Sequence, residues 1–254
     1  MSSTAYPPLP VAYPLSVRGF FDQPSRALWL VKWLLLIPHY IILAFLWLAF
    51  WIVTVIAFFA ILFTTRYPKG LFDFNVGVIR WSWRVSFYGY AALGTDRYPP
   101  FTLADVPDYP ARLDLEYPQQ LNRWLPLVKW LLAFPQYLIL GALVGSGYVV
   151  ATSMQDGRAV SYSTPSLIGA CVLIAAIALL FTTRYPPGLF DLALGIDRWG
   201  YRLLVYVALL TDRYPPFRLD LGTIDIEGPP QSPATGEAWQ VEQPPGYAPE
   251  AERG

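Results

Sequence analysis

Two stripes of charged and aromatic residues are where this 254-residue sequence could do chemistry. Asp73, Gly77, Arg80, Arg84 and Tyr88 recur as Asp191, Gly195, Arg198, Arg202 and Tyr206. In both sets the spacing i, i+4, i+7, i+11, i+15 keeps all five residues on one face of an α-helix. Two arginines one turn apart repel unless an acid, a phosphate or a carbonyl lies between them. Each stripe is therefore expected either to close an internal ion pair, with Asp73 reaching Arg80 and Asp191 reaching Arg198, or to hold an anionic lipid headgroup or a partner. Gly77 and Gly195 would allow close approach of another helix.

A second group of candidates sits in turns. Tyr-Pro occurs eight times, including Arg66-Tyr67 and Arg184-Tyr185 in the RYP turns and Arg97-Tyr98 and Arg213-Tyr214 in the DRYPP turns. Tyr suits the headgroup layer, Arg can snorkel to phosphate, and Pro stops a helix, so these read as turns at a membrane edge. Lys32 and Lys129, beside Trp33 and Trp130, have the makeup of interfacial anchors. His39 faces Gln136 in the matched position, so imidazole is not required there, and a polar interfacial residue is expected. The lone Cys171 reads as a small packing residue.

The common catalytic fingerprints do not occur: there is no Walker loop, Rossmann glycine pattern, HExxH, GxSxG or paired CxxC. One histidine and one cysteine define neither a metal site nor an internal disulfide. No catalytic, cofactor-binding or metal residue is assigned. With 18 basic and 18 acidic residues the net charge is zero, which gives no support for long-range attraction to nucleic acid.

The elements that position these residues are apolar. Only 14% of the chain is charged, against about 25% in soluble domains. Ile41 to Phe63 contains no charge, Gly or Pro and exceeds the roughly 20 residues of a spanning helix. The sequence also repeats. LVKWLL at 30–35 returns at 127–132, LFTTRYPKGLFD at 62–73 returns as LFTTRYPPGLFD at 180–191, and TDRYPPF at 95–101 returns at 211–217. Three matched blocks in one order predict two duplicated modules, residues 13–101 and 109–217. Before them lies a Pro-rich leader, 1–12, without the features of a signal peptide. After them come a short strand or hairpin at 218–227 and a disordered Pro-rich tail at 228–254.

The fold class expected is all-α and polytopic: two tandem helical modules with transmembrane and amphipathic helices, and short β-strands at the membrane surface. ARLDLE at 111–116 alternates like a strand, with FTLAD at 101–105 as its expected partner, and FRLDL at 217–221 alternates likewise. The second module carries a polar insertion, Thr152 to Pro165 with Asp156, Gly157 and Arg158, which splits its apolar block. Two topologies compete, and the hairpin is the one expected. A hairpin in each apolar region leaves 17 of 18 basic residues on one side, which the positive-inside tendency favours. Against it, Ile41 to Phe63 offers no turn residue.

The blocks LPLVKWLLAFPQY, LFTTRYPxGLFD, RWSWR or RWGYR, and TDRYPPF together resemble the bacterial membrane family called domain of unknown function 4389. The resemblance covers about residues 13–217, implies a multi-pass protein of the bacterial plasma membrane, and supplies no site residues. The function expected is a non-enzymatic module that organises membrane lipids or partner proteins, including other membrane proteins or a second copy of itself. A transporter or channel component with a path between the repeats is the alternative.

Overall fold

The computed structural model describes residues 13–22, 24–25, 28–89, 91–144, 148–149, 162–163, 167–182 and 186–220. The leader at 1–12, the segment at 221–254, and Arg184, Tyr185, Asp156, Gly157 and Arg158 lie outside the described residues. The elements run β1 (Leu15–Gly19), α1 (Trp29–Thr64), α2 (Lys69–Tyr88), β2 (Ala111–Leu115), α3 (Leu125–Leu132), α4 (Phe134–Val144), β3 (Tyr148–Val149), β4 (Tyr162–Ser163), α5 (Leu167–Thr182) and α6 (Pro187–Val207).

The hairpin reading of the first apolar region is overturned. Helix α1 is continuous for 36 residues, about 54 Å at 1.5 Å per residue, because nothing between Ile41 and Phe63 can turn the chain. Pro38 lies inside it, and the Tyr98 hydroxyl donates to the nearby Leu35 carbonyl at 3.0 Å. The helix stops where Thr65 takes a left-handed conformation, φ 59°, and its N–H closes on Ile61 O at 2.8 Å. Pro68 then starts α2, which runs back along α1: Thr54 meets Asn75, His39 meets Trp81, and Lys32 meets Tyr88. Among the described residues α1 is the one helix long and apolar enough to cross a membrane.

The second apolar region follows the same course in pieces. Lys129 of α3 lies over Tyr206, Gln136 of α4 bonds Trp199, and α5 ends five residues before α6 begins. All three helices therefore run opposite to α6 in one direction, so α4 and α5 do not form a hairpin. The polar insertion interrupts what is one helix in the first half, and β3, just before it, pairs antiparallel with β4 inside it.

Strand β2 forms where the alternation of ARLDL predicts it, but its partner is not 101–105. It pairs antiparallel with β1, with Val17 opposite Leu113 and Arg18 opposite Arg112. The reason is burial: Leu15, Val17, Ala111 and Leu113 lie on one face and are all buried, whereas 101–105 is held in an irregular loop by the side chains of α2. Residues 217–220 are likewise irregular, not a strand. The core gathers Phe50, Ala57 and Ile61 of α1, Val78, Ile79 and Trp83 of α2, the inner face of the sheet, and Leu194 and Val205 of α6.

Candidate functional site

The structure brings the two arginine stripes together around the small sheet. Arg80 Nε donates to Leu113 O of β2 at 2.9 Å, and Arg198 Nε donates to Val17 O of β1 at 2.8 Å. These are matched arginines on matched strand positions, so β1, first in the chain, lies against α6 in the place that β2 takes against α2. Between the helices, Trp83 and Tyr201 meet edge to face at 5.5 Å. Phe87 of α2 touches Phe190 near the start of α6. The helices thus cross antiparallel, and the two halves are related by an approximate twofold rotation through the sheet.

The expected ion pairs within each helix do not form in the first half. Asp73 is exposed and takes Lys69 at 3.1 Å, one turn back. Arg80 instead faces Asp114 at 3.7 Å and Asp105 at 4.0 Å, both from outside its helix. Arg84 donates to Ala104 O at 3.0 Å and to Thr102 O. Burial, with Arg80 close by, pulls its guanidinium down to about 10, which leaves it cationic at neutral pH. Arg198 also donates to Asp220 O at 2.7 Å, and Arg202 meets the Asp220 carboxylate at 2.6 Å. Arg84, Arg198 and Arg202 are buried, so as placed they fasten the strands and the segments at 102–104 and 220 to the helices, and do not form an open headgroup-facing stripe. Gly77 admits Leu103 of this loop, whose backbone lies 3.0 Å from where a Cβ would stand, and not another helix.

Tyr88 and Tyr206, the last members of the stripes, are buried beneath a lysine each. Lys32 is fully buried and not an interfacial anchor: its Nζ donates to Thr95 O at 2.7 Å and pairs with Asp96 at 3.1 Å. Lys129 repeats this with Thr211 O at 2.7 Å and Asp212 at 2.8 Å. Trp33 and Trp130 remain exposed. Tyr109 donates to Arg97 O at 2.9 Å and Tyr13 to Arg213 O at 3.3 Å, and burial pushes both phenols up. The two TDRYPPF blocks are therefore fasteners. They offer carbonyls and acids to the lysines and tyrosines, and their own Tyr98 and Tyr214 reach the carbonyls of Leu35 and Leu132.

Two polar residues prove more structural than the sequence suggests. His39 is buried, not interfacial; its Nδ1 accepts the Trp81 indole N–H at 3.1 Å, and its ring stacks on Phe101 at 4.0 Å. Gln136 plays the same part, taking the Trp199 N–H on Oε1 and donating to Pro215 O at 2.8 Å. The matched tryptophans were the signal available in the sequence. Tyr67 is buried and accepts from Asn75 at 2.9 Å, while Arg66 and Arg97 stay exposed. Among the described residues no three His, Cys, Asp or Glu side chains gather as a metal-binding group.

Part of this fastened framework falls within two segments that match a known family. The family described as "Domain of unknown function (DUF4389)" matches residues 26–102 and 159–218, together more than half of the chain. The chain belongs to the DUF4389 family. The two matched segments are consistent with tandem copies, and in this DUF4389 protein the first takes in α1, α2 and the first TDRYPPF block, and the second takes in α5, α6 and the other. Comparison with characterised proteins and with solved structures found no match.

Proposed function

We propose that this DUF4389 protein is a non-enzymatic membrane module that organises lipids or partner proteins at the bacterial plasma membrane. The observation that carries the reading is the outer surface of α1. Leu34, Ile41, Phe45, Leu48, Ile52, Phe59 and Phe63 are all exposed, and with their neighbours they cover roughly 220° of arc at about 100° per residue. Such an area of exposed aliphatic and aromatic side chains has no place in water and suits lipid. Leu131, Leu138, Leu173, Ile177 and Phe181 extend the same surface over α3, α4 and α5. On the other side lies the charged sheet layer, with Arg18, Asp105, Arg112 and Asp114. One apolar side and one charged side fit a scaffold better than a catalyst.

The alternative is a multi-pass transporter or channel component with its path between the halves. It would set the two arginine stripes across a polar cavity. The bonds from Arg80 to β2 and from Arg198 to β1 argue for the scaffold instead. The test is flotation of the full chain with vesicles of anionic or zwitterionic lipid, with solute flux measured on the same vesicles. Stable flotation without flux across a broad solute panel is expected. Flux would move the transporter reading ahead, and failure to float would remove both.

A further inference from the structure

The charged sheet lies at the middle of the helical layer and not at its end. Arg80, which bonds β2, is the twelfth of the 20 residues of α2. Trp47, the nineteenth of the 36 residues of α1, bonds Ser82 at 3.1 Å on the same stretch of α2. The sheet is thus level with the midpoints of both helices. Were α1 and α2 to stand across a bilayer, Asp105, Arg112 and Asp114 would be held beside the centre of the hydrocarbon. Their side chains are 33%, 28% and 36% exposed and form an outward-facing ion-pair cluster with Arg18 and Arg80. Charge facing lipid at that depth is strongly disfavoured.

Turning the molecule by a right angle removes the conflict. The approximate twofold axis through the sheet then stands along the membrane normal, and the exposed faces of α1 and of α3, α4 and α5 meet the same leaflet. A helix is about 10 Å across, which fits within one leaflet of a hydrocarbon core about 30 Å thick. Length agrees as well. From Leu34 to Phe63 the axis runs about 43 Å, longer than that core, yet the exposed apolar face continues over the whole distance. An in-plane helix has no such length limit.

We propose that the protein is monotopic: α1 and the α3–α5 line lie in the plane of one leaflet with their apolar faces immersed, and the sheet faces the water on the same side. This rests on the membrane reading above and gives that reading its geometry. Its partner is the acyl region of a single leaflet, gripped along a helix surface and not spanned.

Two measurements on the full chain test it, both in a Cys171→Ala background. Leu34→Cys, Phe45→Cys and Phe63→Cys, which share one side of α1, are labelled with a small fluorophore in vesicles carrying lipids brominated at shallow or deep acyl positions. A common depth for all three, roughly 5–10 Å below the headgroups, is expected. In cells, Lys69→Cys, Arg97→Cys and Glu116→Cys are exposed to a membrane-impermeant maleimide. All three are expected to label from one side, although Lys69 follows the end of α1 and Arg97 sits beside its start. Phe45 deep with Leu34 and Phe63 at opposite surfaces, or Lys69 and Arg97 labelling from opposite sides, would overturn the in-plane arrangement while leaving the membrane reading intact. Absence of quenching at all three positions would overturn the membrane reading itself.

Discussion

At the scale of single residues, the chain solves one problem twice with different chemistry. Each inner helix buries an indole N–H, Trp81 or Trp199, against the apolar outer helix, and a buried donor left unpaired costs about 1–3 kcal/mol. His39 and Gln136 supply the acceptors. With Nδ1 accepting, a neutral His39 carries its proton on Nε2, a buried nitrogen without a hydrogen-bond partner, whereas Gln136 uses its amide on Pro215 O. His39→Gln is therefore expected to be neutral or stabilising, with the new amide facing the matched Pro99 carbonyl. His39→Leu is expected to lose about 1–3 kcal/mol by chemical denaturation in vesicles or micelles. Equal losses for both would show that shape at this position matters and the acceptor does not. The pairing was half legible in the sequence: the substitution of Gln for His told against catalysis, but the partner tryptophans lie more than 40 residues away and only the fold brings them in.

At the scale of elements, legibility followed range. The helices of the two stripes and strand β2 were readable because their periodicity is local. The partner of β2 was not, because β1 lies some 96 residues earlier and its local pattern, LSVRG, is no stronger than that of 101–105. The hairpin in the first half failed for a different reason. It rests on a count of basic residues on each side, and an arrangement in which the outer helices stay in one leaflet satisfies the same count without a turn. Beyond its ladder with β2, β1 is held by Trp83 Nε1 on Arg18 O and by two contacts to the second half, Arg198 on Val17 O and Tyr13 on Arg213 O. Arg198→Met keeps the aliphatic bulk and removes the donors. It is expected to cost about 1.5–3 kcal/mol, the range for hydrogen bonds from a charged group. Amide hydrogen exchange should speed up in 15–19 and 111–115 while the middle of α1 is unaffected. Uniform acceleration throughout the chain would mean that the arginine supports the whole core and not the strand.

At the scale of the whole molecule, opposing ionisations set how stability varies with pH. Burial works against charge on Asp96, but Ser25 and Lys32 outweigh it and hold the carboxyl below the usual range. Burial opposes Asp220 too, and Arg218 and Arg202 outweigh it. A lowered carboxylate pKa contributes stability that is complete above the unfolded value, about 3.9, and is lost as pH falls through the folded value. Asp197 runs the other way. It stands on α6 where the first half has Ile79, its Oδ2 is buried without a hydrogen-bond partner, and burial raises its pKa to about 8. Tyr201, one turn on, is close enough for the charged forms of the two to repel. Between about pH 4 and about pH 8 the unfolded chain gives up this proton and the folded chain keeps it, so stability falls as pH rises across that window. Asp197→Asn has no proton to lose. Measured by denaturation at a series of pH values, its stability relative to the unmodified chain should be unchanging below about pH 4, grow through the window, and level off above about pH 8. The acid limb set by Asp96 and Asp220 should be common to both proteins, since neither group touches Asp197. A difference that stays constant from pH 4 to pH 8 would mean that Asp197 ionises normally, and hence that water reaches its carboxyl.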